Sequence, residues 1–181
     1  GIWVGIASGR GDSIQQHLQK CLPDELWPRI HLGLYNGGWI GHLDDEIPAT
    51  GSTSEFLSHV RRVIGRLERL GVPIDRVKAT YPHQISVRFR EGVNTESMWF
   101  VIADALRQDG LDPSTVVKSK HSVDILGHDV SKSHLVASIV QECRIDPYEV
   151  VTMGDQGAWP GNDSSLLEHR FSLSVDMPSR R

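Results

Sequence analysis

The order of strand-like and helix-like segments constrains the fold of this 181-residue chain more than any other feature. Near each end, an apolar run typical of a buried parallel strand, at residues 2–7 and 150–153, is followed by a helical pattern. Between them, residues 52–127 contain half-buried alternating strands and two amphipathic helices. The sequence therefore predicts an α/β protein whose doubly wound core, with a mainly parallel sheet, is split in sequence by an inserted α+β unit.

The predicted boundaries place the core at residues 1–51 and 128–181 and the inserted unit at residues 52–127. Small and turn-forming residues are concentrated at the first crossing, as they are in domain linkers. Before this crossing, residues 29–43 predict a short strand, a turn and a second short strand.

Helix signals are clearest in the inserted unit. Ser52 followed by Glu55 predicts a capping box, and Gly71 predicts the end of that helix. A second helix is predicted at residues 94–108. In the C-terminal part of the core, Ser131 is expected to cap a further helix.

Composition argues against several classes of partner. The formal net charge of −4 gives no electrostatic case for binding nucleic acid or an anionic membrane surface. No apolar run is long enough to span a bilayer. Cys21 and Cys143 lie far apart without a paired spacing, so we expect a reduced, cytoplasmic setting and no structural zinc.

Three stretches follow predicted strands, at the edge where ligands of open parallel sheets gather. Ser8, Gly9 and Arg10 lie between the first strand and its helix, where a hydroxyl and helix N-terminal amides can donate to a phosphate. An ordinary turn gives the same pattern, and these residues alone leave that alternative open. Lys132 lies in the first turn of its helix, where a cation is unfavourable unless water or a bound anion neutralises it.

The third stretch is "GDQGAWPGND". Asp155 ends a predicted buried strand, where a carboxylate is costly unless it meets a metal ion or hydrogen-bond donors. Oxygen ligands of this kind, with water and a substrate phosphate, suit Mg²⁺. Asn162 and Asp163 either support such a site or cap the helix that follows.

Other catalytic patterns are absent from the sequence. The nine histidines are scattered without the His-Glu-x-x-His spacing of a metal site, so each is expected at a surface or hydrogen-bonded position. The serines lack a G-x-S-x-G elbow, which argues against a serine hydrolase.

Together these stretches resemble the motifs of the haloacid dehalogenase (HAD) superfamily of phosphohydrolases, in its Cof-type and sucrose-phosphate-phosphatase-type branch. "IASGR" is similar to the second motif, "VSKSHLV" to the third and "GDQGAWPGND" to the fourth. "YNGGWI" resembles the Asn-Gly turn that precedes the cap of that branch. The resemblance implies a HAD-like Rossmannoid core carrying an inserted α+β cap.

The resemblance also implies the chemistry. It points to a Mg²⁺-dependent phosphatase that acts on a small phosphorylated metabolite, in this branch a sugar phosphate, through an aspartyl-phosphate intermediate. The cap would close over the site and select the substrate. The implied site residues are Ser8, Gly9, Arg10 and Lys132 for phosphate, with Ser8 and Lys132 catalytic, and Asp155, Asn162 and Asp163 for the metal.

Two departures from the family pattern bear on this expectation. Residues 156–161 separate Asp155 from the Asn-Asp pair, where many relatives have a much shorter spacer. The family's nucleophile is the first Asp of a D-x-D motif that ends an N-terminal strand, and this chain begins at the second motif. In the family that strand lies between the strands that bear the second and fourth motifs.

We therefore expect the missing strand to come from an N-terminal segment outside these 181 residues or from another chain, and the 181 residues alone to be nearly inactive. The alternative is a catalytically inactive module of HAD origin that binds a ligand or a partner. The motifs do not distinguish hydrolysis from phosphotransfer or mutase chemistry.

Overall fold

The computed structural model describes residues 1–49 and 51–178. The chain divides into two compact units: the core comprises Gly1–Ala49 and the chain from Val130 onward, and the inserted unit comprises the chain between them. Within the described ranges, no helix combines the length and apolarity needed to cross a membrane.

The N-terminal part of the core is a three-stranded sheet with one helix. It starts with β1 (Val4–Ala7) and α1 (Asp12–Cys21). The central strand β2 (Ile30–Leu34) is buried throughout, and it pairs parallel with β1 and antiparallel with β3 (Trp39–His42). The predicted pair of short strands with an intervening turn is thereby confirmed.

The inserted unit is a four-stranded antiparallel sheet with two helices, in strand order β4-β5-β7-β6. Its elements along the chain are α2 (Glu55–Arg69), β4 (Ile74–Thr80), β5 (Gln84–Phe89), α3 (Thr95–Gln108), β6 (Val116–Lys118) and β7 (Ser122–Leu126). The apolar face of α2 packs against the apolar face of the sheet, which buries Leu57, Val60 and Ile64 with Ile85 and Val87. The predicted α+β architecture of this unit is confirmed.

The C-terminal part of the core contains α4 (Ser133–Cys143), β8 (Thr152–Gln156), α5 (Ser164–Leu167) and β9 (Ser172–Met177). The strands β8 and β9 pair in parallel. The strand predicted at residues 150–153 thus begins later and extends through Asp155.

Two predicted helix caps are wrong by one or two residues. The N-cap of α2 is Ser54, whose Oγ accepts the Leu57 N–H at 3.1 Å, and not Ser52. Ser54 is the N-cap because it directly precedes Glu55, the first helical residue. At α4 the N-cap position is occupied by Lys132, which makes no capping hydrogen bond, while Ser131 accepts the Ser133 N–H at 3.3 Å.

The strands of the core form two sheets. Among the described residues, β1 pairs only with β2 and β8 only with β9, so each keeps one unpaired edge. The prediction that both strands are buried is wrong: Met153 in β8 is 65% exposed and Ile2, just before β1, is 84% exposed. Apolar side chains on unpaired edges are typical of strands that receive a further strand.

Candidate active site

The turn that follows β1 is tied to the end of β2. The Ser8 N–H donates to the Gly33 carbonyl at 2.8 Å, and the Ser8 carbonyl accepts the Asn36 N–H at 2.8 Å. The Ser8 Oγ accepts the Arg10 N–H at 3.0 Å, which closes the turn. These bonds hold Ser8, Gly9 and Arg10 at the carboxyl end of two parallel strands.

The turn between β2 and β3 lies against the start of α4. Gly37 has a φ of +89°, and a Cβ at this position would overlap the Ser131 carbonyl. Glycine is required here both for the backbone conformation and for the close approach. The contact places the start of α4 beside the turn that is bonded to Ser8.

The Gly37 contact leads to a first prediction. We expect Gly37→Ala to destabilise the protein by more than Gly92→Ala, because Gly92 has a similar φ of +80° but no atom near the position of an added Cβ. The left-handed conformation alone costs about 1–2 kcal/mol, and the overlap adds about 1–3 kcal/mol. Urea unfolding of both variants measures the difference. Equal losses would show that the Gly37–Ser131 contact does not matter.

Lys132 and Asp163 form a buried ion pair. The Lys132 Nζ lies 2.6 Å from Asp163 Oδ1, and both residues are shielded from solvent. The other carboxylate oxygen, Oδ2, accepts the backbone N–H groups of Asp155 at 3.0 Å and Gln156 at 3.1 Å. Burial acts to raise the pKa of Asp163, but the charge and hydrogen bond of Lys132 and the two backbone donors hold that pKa below its ordinary value. Asp163 is therefore ionised at neutral pH.

Asp163 does not act as a helix cap through its side chain. It occupies the N-cap position of α5, yet its side chain makes no capping hydrogen bond and turns to Lys132 and β8. Gly154 makes room for this arrangement, because a Cβ there would lie 2.9 Å from Asp163 Oδ2. One carboxylate thus ties α4, β8 and the loop before α5 together.

Direct contacts connect the separate motifs within the core. They run from Ser8 to Asn36, from Gly37 to Ser131, and from Lys132 through Asp163 to Asp155. Asp155 is partly buried in β8, and Asn162 is partly buried beside Asp163.

The residues at the end of β8 are compatible with Mg²⁺. Carboxylate and amide oxygens are the ligands that this ion prefers, and Asp155 and Asn162 offer one of each. Asp163 is already engaged by a cation and two backbone donors, which suits it to hold the site together.

Sequence reasoning did not find the Lys132–Asp163 pair or the Gly37–Ser131 contact. A signal for the pair was present, since a lysine at a helix N-terminus needs an anion. The glycine contact has no local signal, because it depends on an approach between segments far apart in the chain.

Comparison with known proteins identifies a related family. The model of the family described as Sucrose-6F-phosphate phosphohydrolase matches residues 56–175. The matched range includes Lys132 and the stretch from Asp155 to Asp163, and it excludes Ser8. No curated protein sequence matches the chain.

Solved structures show a similar fold at low sequence identity. The sucrose-phosphatase from Synechocystis sp. PCC6803, solved with sucrose and phosphate, has a TM-score of 0.62 and 19% identity, covering 96% of this chain and 69% of that one. An IMP-nucleotidase from Plasmodium falciparum has a TM-score of 0.66 and 10% identity, covering 98% and 56%.

A haloacid dehalogenase-like hydrolase from Bacteroides thetaiotaomicron has a TM-score of 0.62 and 15% identity, covering 93% of this chain and 73% of that one. The chain thus spans little more than half of the nucleotidase and about seven tenths of the other two. These likenesses confirm the predicted fold class, a HAD-like Rossmannoid core with an inserted α+β unit.

Proposed function

The chain belongs to the sucrose-6F-phosphate phosphohydrolase family, and we propose that its core forms the phosphoryl-transfer site of a HAD-type phosphatase. The observation that carries this proposal is the buried Lys132–Asp163 pair beside β8. Burying a lysine is costly unless its charge is used or paired. Here the pair is part of the same set of contacts that leads to the Ser8 turn.

We assign phosphate binding to Lys132 and to the turn of Ser8, Gly9 and Arg10. An ammonium group has three donors, and one of those on Lys132 goes to Asp163. The other two N–H donors of Lys132 and the Ser8 hydroxyl would donate to phosphoryl oxygens. A preorganised cation of this kind stabilises negative charge that develops on the transferring group.

We assign the metal to Asp155 and Asn162, with Asp163 as the supporting residue. When bound, Mg²⁺ would neutralise charge on the phosphoryl oxygens. Asp163 acts through its neighbours: it fixes the direction of the Lys132 ammonium and, by accepting two backbone N–H groups, holds the end of β8.

We propose that a further strand supplies the nucleophile. Support comes from β1 and β8, each of which keeps, among the residues that the structure describes, an unpaired edge with exposed apolar side chains. An aspartate at the end of that strand would attack phosphorus, the P–O ester bond would break, and the departing oxygen would take a proton from water to leave as an alcohol. Water would then attack the aspartyl-phosphate, releasing inorganic phosphate and restoring the carboxylate.

The proposed substrate is a small sugar phosphate. The matching family is described by its action on sucrose 6F-phosphate, and a structural relative was solved with sucrose and phosphate. Another relative was solved with IMP, so nucleotides form the comparison class in substrate tests. We also propose a cytoplasmic location, because Cys21 and Cys143 are free thiols.

A phosphatase assay tests the proposal. We expect residues 1–181 alone to release no phosphate from p-nitrophenyl phosphate with Mg²⁺, and the complete translated product to release it at an ordinary enzymatic rate. Activity of the 181 residues alone would contradict the proposed external nucleophile. A product that binds phosphate but turns over no phosphate ester would instead indicate a catalytically inactive binding module.

A further inference from the structure

Two histidines and a glutamate converge at the end of the core away from Lys132. His31 lies at the start of β2, His42 at the end of β3 and Glu142 in the last turn of α4. Within the described ranges, these residues are the group whose histidine and carboxylate atoms approach as metal ligands do, all within 4.8 Å of one another. No spacing in the sequence indicates this group.

The distances suit a small cation with nitrogen and oxygen ligands. His42 Nε2 lies 2.9 Å from Glu142 Oε1, and His31 Nδ1 lies 3.7 Å from Glu142 Oε2. Because Zn²⁺ binds such ligands at roughly 2.0–2.2 Å, ligand atoms of a tetrahedral site lie about 3.4 Å apart. The two observed separations lie on either side of this value.

The surroundings hold both rings in place. On the far side of His42, Nδ1 faces Asp45 Oδ2 at 3.6 Å, and the same oxygen accepts the His42 backbone N–H at 2.6 Å. The second nitrogen of His31, Nε2, lies 3.8 Å from Cys143 Sγ. A carboxylate behind a histidine is the usual support of a zinc ligand.

His31 is almost completely shielded from solvent, with 1% of its surface exposed. His42 and Glu142 remain partly exposed, which leaves a path for the ion.

We propose that His31, His42 and Glu142 form a Zn²⁺ site that joins the β2–β3 hairpin to the C-terminal end of α4. Two imidazoles and one carboxylate are a common zinc ligand set, with water as the fourth ligand. The site is separate from the Lys132 site, because α4 spans about 15 Å between the two. The inference does not depend on the proposed phosphatase function.

Metal titration of the 181-residue chain tests the inference. After dialysis against EDTA, we expect a single equivalent of Zn²⁺ to bind by calorimetry, and Co²⁺ to give the intense visible absorption of a four-coordinate site. Zinc should also raise the melting temperature. His42→Ala and Glu142→Gln should each weaken Zn²⁺ binding by at least about tenfold.

Two control variants should keep the wild-type zinc affinity. His121→Ala removes an exposed histidine of the inserted unit, and Asp155→Asn removes the proposed Mg²⁺ ligand. His42→Ala and Glu142→Gln both change partly exposed side chains, and circular dichroism checks that each variant remains folded. The inference is overturned if the chain binds no Zn²⁺, or if both His42→Ala and Glu142→Gln bind it as tightly as wild type.

Discussion

Replacement of Lys132 by methionine is expected to lower the free energy of unfolding by about 3–5 kcal/mol, because it leaves a buried carboxylate without its partner. The pair is buried on both sides, with Lys132 Nζ 2.6 Å from Asp163 Oδ1. Methionine keeps most of the volume of the lysine stem, so the loss reports the missing charge. Urea unfolding followed by circular dichroism measures it.

The matched control removes both charges. We expect Lys132→Met combined with Asp163→Asn to be more stable than Lys132→Met alone, since no isolated charge stays buried. If Lys132→Met unfolds at the wild-type urea concentration, the ion pair does not hold the core together.

The same variant should show a distinct pH dependence. In the wild type, the pKa of Asp163 is lower in the folded than in the unfolded chain. Ionised Asp163 therefore stabilises the folded state fully above its unfolded pKa of about 3.8, and this stabilisation is lost as the pH falls through the folded pKa. Without Lys132, the folded pKa of Asp163 rises relative to the wild type. The stability difference between Lys132→Met and the wild type should therefore shrink as the pH falls through the folded pKa of Asp163 in the variant and then through the lower folded pKa in the wild type.

For the phosphatase proposed above, replacement of Asp155 by asparagine is expected to abolish Mg²⁺-dependent turnover of phosphate esters, with a loss of at least about 10³-fold in kcat. Asparagine has nearly the same shape, so the Asp155 N–H can still donate to Asp163 Oδ2. The loss would then report the missing carboxylate charge. Phosphate release at a series of Mg²⁺ concentrations measures both turnover and the dependence on the ion.

A surface aspartate of the core supplies the control for this experiment. Asp24→Asn makes the same chemical change at an exposed position and should leave turnover unchanged. Wild-type turnover in Asp155→Asn would show that Asp155 is not the metal ligand and would point to Asn162 or Asp163 instead. Unfolding curves of the two variants should overlap with that of the wild type.

Much of the fold was predictable because its signals are local. Periodic apolar positions and turn residues indicated α2, α3 and the alternating strands of the inserted unit, all of which are present. The cap positions were less predictable, since several serines near a helix start satisfy the same rule. Here Ser54, and not Ser52, caps α2.

Burial was predicted least well at β1 and β8. Their apolar runs indicated buried strands. An apolar side chain gains free energy by leaving water, but it can be buried only where a neighbouring element packs against it. Within the described residues neither strand has a neighbour on its second edge. The exposed apolar side chains there are consistent with the proposed further strand.

The sequence by itself determined the class of the fold, the candidate phosphate-binding residues around Ser8 and Lys132, and the acidic stretch that begins at Asp155. Only the tertiary structure decided that Asp163 pairs with Lys132, and that His31, His42 and Glu142 converge on one point. The physical reason is separation along the chain. Residues 132 and 163, and still more residues 31 and 142, are brought together by strand pairing and helix packing, which no local pattern of side chains records.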